Sequence, residues 1–156
     1  MNPYSEEHTR LVKSLLKHRV KFIVVGGYAA IYYGVNRNTG DLDILIEPTA
    51  KNGKLLIAAL KENGLEVPEI LPDEFERELV LSFGLAPDGV DILNLTPGLE
   101  FKSAYDNSVE ETFSGLTIRI SHIRDLIRNK EQLQRKGEKS LLDKYDVEVL
   151  KKILKS

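Results

Sequence analysis

Apolar positions along the chain recur with two periods, and the switches between them predict its elements. Over residues 5 to about 18, Leu11, Val12, Leu15 and Leu16 recur at helical spacing. Ser5 suits the N-cap, and Glu6 and Glu7 suit the positive end of the helix dipole. Phe22–Val25 is a short β-branched strand that ends at Gly26 and Gly27. Residues 28–33 suit a short helix stopped by Gly34, and 35–40 a loop. Residues 41–47 form a second strand, broken by Pro48. Thr49 caps a helix to about residue 63, with Leu55, Leu56, Ala59 and Leu60 on its buried face. The acidic stretch 66–77 reads as a loop, or an irregular strand plus a turn. Strands at 78–85 and 90–95 flank the turn Ala86-Pro87-Asp88-Gly89 and read as a hairpin. Residues 99–114 give no clear period. A short strand at 116–120 follows, then a helix capped by Ser121 and running to about 134, with Ile123, Leu126 and Ile127 buried. A charged loop at 135–139 leads to a last helix, 140–155, with Leu142, Tyr145, Val149 and Ile153 along one side.

This order predicts a small mixed β-sheet covered by helices, an α/β (α+β) fold. The length of 156 residues suits one domain, 1–156, with a sheet-bearing core at 1–120 and a helical pair at 121–156.

Composition narrows the chemistry. There is no cysteine, so a disulfide framework and a thiolate zinc site are excluded. His8, His18 and His122 are scattered, which argues against a histidine-based metal centre. No apolar run approaches the roughly 18 residues of a membrane span. The first residues lack the basic start and apolar core of a signal peptide, so the expectation is a cytoplasmic protein with no membrane partner. Net charge is only −2, but it is uneven. Residues 119–156 carry 11 Lys and Arg against 6 Asp and Glu. The basic quarter faces an anionic ligand or is a solvated helical face.

Three aspartates carry the candidate chemistry. Asp41 and Asp43 are two apart on a strand, so both point to one face while Leu42, Ile44 and Ile46 point to the other. Paired carboxylates repel unless a cation lies between them, and hard oxygen ligands suit Mg²⁺ or Mn²⁺. Asp91 sits between Val90 and Ile92, where an unpaired acid is costly to bury. If its strand lies beside that of Asp41, three carboxylates share one face. Gly26 and Gly27 stand between a strand and a helix, where bare backbone N–H groups receive phosphate. Glycine for packing alone is the rival explanation. Arg37 is either a phosphate contact or a structural partner of Asp41 or Glu47.

Together these residues resemble the polymerase-beta-like nucleotidyltransferase superfamily, whose signature is Gly-Gly or Gly-Ser, then Asp-x-Asp, then a third acid on a later strand. More narrowly, Gly26-Gly27-Tyr28-Ala29, the segment from Arg37 through Thr39 to Asp41-Leu42-Asp43, and the helix segment from Asp125 to Lys130 resemble the AbiEii-like group. So does the Asp-x-x-Asp spacing of Asp143 and Asp146 in the last helix. The resemblance implies transfer of a nucleoside monophosphate from an NTP to an acceptor, with release of pyrophosphate. It implies Asp41, Asp43 and Asp91 as catalytic metal ligands for Mg²⁺ or Mn²⁺. It implies Gly26, Gly27, Arg37, Thr39 and Lys130 as nucleotide-binding residues. The expected nucleotide is ATP, with GTP and CTP open. The acceptor is open among protein, tRNA and small molecules, and a homodimer is allowed for. Many active members of the superfamily have a serine after the first glycine, where this chain has Gly27. The alternative implied is a catalytically silent nucleotide-binding or interaction module of the same fold, such as a toxin–antitoxin component.

Overall fold

The computed structural model describes residues 3–156. Helix α1 (Glu6–Lys17) opens on a capping box between Ser5 and His8. It is followed by β1 (Phe22–Val25), α2 (Gly26–Tyr33), β2 (Asp41–Ile46) and α3 (Ala50–Glu62). A 3-10 turn at Pro72–Glu76 leads to β3 (Val80–Phe83) and β4 (Gly89–Leu93). Then come α4 (Phe101–Asn107), β5 (Val109–Phe113), β6 (Leu116–Ile120), α5 (Ile123–Gln132) and α6 (Glu138–Lys155). The strands form one sheet in the order β3-β4-β2-β1-β6-β5. The two hairpins, β3–β4 and β5–β6, and the β1–β2 pair are antiparallel; β2–β4 and β1–β6 are parallel. The fold class is therefore the expected one: a small mixed sheet flanked by helices, with two helices at the carboxyl-terminal end.

The sheet is covered unequally. Phe22, Val24, Leu42, Ile44, Ile46, Val90 and Ile92 meet α1, α2 and α3 in the large core. On the other face, Ile23, Val25 and Leu45 meet Leu99, just before α4, and Phe101 and Ala104 within it, with Leu93 and Tyr105 packed against them. The half bearing Asp41, Asp43 and Asp91 is bordered instead by Asn129, Leu133 and Arg135, which leave clefts over the acids.

Several elements depart from the sequence expectation. The unassigned stretch 99–114 holds α4 and β5, which pairs along β6 from Val109 to Phe113. The stretch 66–77 holds no strand, only the 3-10 turn, whose Phe75 is fully buried against Gly53 of α3. The N-cap of α5 is His122, whose side chain accepts from the Arg124 N–H, while Ser121 is buried one residue earlier. Helix α2 starts at Gly26 rather than after the glycines, and α6 starts at Glu138. The buried stripe of α6 is Asp143, Asp146 and Leu150, with Tyr145 turned outward. Those two acids are buried because three cations meet them.

Candidate active site

Adjacent parallel strands bring the three aspartates together. The register sets Asp43 beside Asp91 and Asp41 beside Gly89. Residues paired in register share a face, so all three acids lie on the thinly covered side of the sheet. Ser82, opposite Asp91 across the β3–β4 hairpin, donates its hydroxyl to Asp91 Oδ1 at 2.6 Å. Asp41 and Asp43 take no hydrogen bond or ion pair from the described residues. Burial, then the charge of Asp91, pushes the Asp43 carboxyl up to about 7, against the pull of Arg135 and Lys130.

The glycine turn sits on the same end of the sheet. Gly26 has φ +68°, and a Cβ there would come within 2.1 Å of Asp43 Oδ2. Only glycine serves both the left-handed backbone and the approach of that carboxylate. No side chain caps the start of α2 and no acid lies in its first turn. Its first two residues, Gly26 and Gly27, line the space over the aspartates. Gly27 answers the missing serine. A Cβ there would lie 2.5 Å from Thr39 Oγ1 and 3.1 Å from Arg37 Nη2. The Thr39 hydroxyl thus stands where a side chain at position 27 would go, and it has no hydrogen-bond partner among the described residues.

Two adjoining clefts, of about 200 and 150 Å³, open over these groups. One is lined by Gly26, Asp43, Ser82, Asp91 and Asn129, the other by Gly27, Arg37, Thr39, Asp41 and Lys139. Asp43, Asp91 and Arg135 belong to both.

Lys130 lines neither cleft but stands close behind them. Its side chain is 1% exposed, with Nζ 2.8 Å from Asp146 Oδ2 and 3.6 Å from Asp143 Oδ1. Arg37 is tied to the same acid rather than to Asp41 or Glu47: Nε and Nη2 each lie 2.8 Å from an Asp146 oxygen, and Nη1 donates to the Asn38 carbonyl. Burial alone would raise the Asp146 carboxyl; the hydrogen bonds of Arg37 and Lys130 outweigh it and hold the group below its ordinary value. This buried network locks the loop before β2 onto α5 and α6, directly behind the clefts. Arg135, which the sequence showed only as part of a charged loop, donates through Nε and Nη2 to Asp143 and lines both clefts. No sequence pattern singled out Arg135 or Ser82.

The donor set suits a hard divalent cation. Asp41 and Asp43 offer unshared carboxylate oxygens, and the acids Asp41, Asp43, Asp91, Asp143 and Asp146 outnumber the cations Arg37, Lys130, Arg135 and Lys139 around them. Among the described residues, no three histidine or acidic side chains are already gathered as a metal-binding cluster.

No family model and no curated relative matches the chain. Solved structures do. A nucleotidyltransferase-like antigenic protein from Paracoccidioides brasiliensis superposes with a TM-score of 0.61 at 18% identity, covering 94% of this chain and 77% of that one. The lincosamide antibiotic adenylyltransferase LnuA, solved with lincomycin bound, gives 0.55 at 15% identity over 97% and 99% of the two chains. The antibiotic-resistance factor ANT(2'')-Ia gives 0.52 at 13% identity over 96% and 89%. At these identities the likeness is one of architecture: the chain has a nucleotidyltransferase-like fold.

Proposed function

We propose that this chain is a nucleotidyltransferase of minimal, AbiEii-like type that moves a nucleoside monophosphate from an NTP to a hydroxyl-bearing acceptor. The observation that carries the reading is the registered pair Asp43–Asp91, with Asp41 beside it, under the uncapped start of α2. Asp41, Asp43 and Asp91 would hold Mg²⁺ or Mn²⁺. Bound there, the ion supplies charge compensation for the phosphates and polarises the reacting phosphoryl group. The N–H groups of Gly26 and Gly27 and the Thr39 hydroxyl receive phosphate oxygens. Asp91 orients the acceptor hydroxyl and takes its proton. The acceptor oxygen bonds to the α-phosphorus, the bond from that phosphorus to the bridging oxygen breaks, and pyrophosphate leaves with the electron pair.

The test is a transfer screen with α-labelled ATP, GTP and CTP, with Mg²⁺ or Mn²⁺, offering protein, tRNA and small hydroxyl compounds as acceptors. Labelled product with pyrophosphate release is expected from the wild type. Asp43→Asn and Asp91→Asn are expected to abolish it with circular dichroism unchanged. Labelling that persists in either variant overturns the reading.

A second reading, a silent module that binds nucleotide or a protein partner without turnover, draws on Gly27, which stands where many active members of the superfamily have serine. Thermal shift separates the two. A melting rise that needs metal and NTP together supports the enzyme, and no rise supports the interaction module.

A further inference from the structure

We propose that Arg135 is the residue that grips the triphosphate of the bound nucleotide, and that it does so by releasing Asp143. The proposal rests on the nucleotidyltransferase reading above and assigns a phosphate contact within it. Four cations stand at or behind the clefts, and three are unsuited. Lys130 is buried at 1% exposure between two acids. Arg37 spends Nε and both terminal nitrogens on Asp146 and the Asn38 carbonyl, at 13% exposure. Lys139 borders one cleft only. Arg135 borders both and keeps a third of its side chain in solvent.

Its present partner can spare it. Asp143 also faces Lys130 Nζ at 3.6 Å, so departure of Arg135 does not strand a buried carboxylate. The guanidinium fork that now meets a carboxylate fits a phosphate equally well, and a phosphate carries more charge. The short connection that carries Arg135, between α5 and α6, ends at Gly137 with φ +66° and no side-chain cap on α6. Release from Asp143 would leave the guanidinium beside Asp43, whose charge it already feels, at the border of both clefts.

The test is titration calorimetry of the full chain with Mg²⁺ plus ATP and, separately, Mg²⁺ plus inorganic tripolyphosphate. Arg135→Gln is expected to weaken both by about tenfold or more, and Arg135→Lys to recover part of the loss. Asp143→Asn removes the same ion pair but frees the guanidinium, so its affinity is expected to equal or exceed that of the wild type. A bracing role for Arg135 predicts instead that Arg135→Gln and Asp143→Asn lose affinity alike, and that result overturns the proposal. Should Asp143→Asn not fold, the Nε–Hε NMR signal of Arg135, assigned by its loss in Arg135→Lys, replaces it. The signal is expected to shift on tripolyphosphate addition; a stationary signal counts against the gripping role decisively. Wild-type protein that binds neither ligand overturns the nucleotidyltransferase reading and this one with it. Wild-type binding matched by Arg135→Gln overturns the role of Arg135 alone.

Discussion

At the residue scale, the space that a side chain at Gly27 would take is filled from across the turn. Because Thr39 Oγ1 lies 2.5 Å from where a Cβ of residue 27 would stand, the site has room for one hydroxyl there, not two. Gly27→Ser should therefore lower stability by about 1–3 kcal/mol, the usual cost of overpacking a close contact. Thr39→Gly removes the obstructing atoms, so the double variant Gly27→Ser/Thr39→Gly should regain most of the loss. The urea midpoints of the four proteins give the coupling, and simple additivity would mean that the two side chains do not compete. The sequence carried half of this relation. Asp41 and Asp43 were legible as one face because alternation along a single strand sets them so; Asp91 joins them only because β4 lies beside β2 in this register, which alternation alone does not fix. The pairing of Thr39 with Gly27 and of Arg37 with Asp146 was not legible, since both join residues with no fixed spacing between them. Asp143 and Asp146 were visible as a motif but were not counted into the buried face of α6. An acid reads as solvent-facing until its cations are known.

Elements marked by an apolar run or stripe with clear end signals were read closely, and those without them were not. β1 matched to the residue, and α1 and α3 to within a residue or two. β5 escaped because Glu110, Glu111 and Thr112 dilute its alternation, as suits an edge strand with one wet face. α4, at seven residues, is too short to show a helical repeat. The 3-10 turn at Pro72–Glu76 has no period at all, yet it contributes a fully buried ring. Phe75 packs so closely on α3 that a Cβ on Gly53 would come within 2.2 Å of its ring. The ring cannot retreat. Asn94 donates to the Phe75 and Arg77 carbonyls at 2.8 and 2.6 Å and accepts from the Leu79 N–H at 2.8 Å, pinning the segment. In an open helix, glycine to alanine gains about 1 kcal/mol of helix propensity. Here the contact reverses the sign, and Gly53→Ala should cost about 2 kcal/mol net in a chemical denaturation series. A stabilised Gly53→Ala would show that the turn does not hold Phe75 against the helix.

On the scale of the whole molecule, the charge asymmetry of the sequence finds a use inside the fold. The basic carboxyl-terminal quarter is more than a solvated face: Lys130 and Arg135 turn inward to meet Asp143 and Asp146, and Arg37 joins them from the loop before β2. Asp146 is the knot, with no exposed surface and two cations within 2.8 Å. Through it α5 and α6 are fastened to the loop that leads into β2, the strand bearing Asp41 and Asp43. Removing Asp146 leaves Lys130 and Arg37 buried beside each other without their shared counter-charge. Such a break in a buried network costs about 3–5 kcal/mol, well above a surface ion pair. Asp146→Ala should therefore unfold at markedly lower urea. Its loss should also exceed that of Glu131→Ala, which cuts the exposed pair with Lys151, by at least about 2 kcal/mol. Because the network ties the helices to the loop before β2, hydrogen exchange in Asp146→Ala should rise in α5, α6 and residues 35–40 together. Exchange that rises in α6 alone would place the fastening elsewhere and leave the clefts independent of the carboxyl-terminal helices.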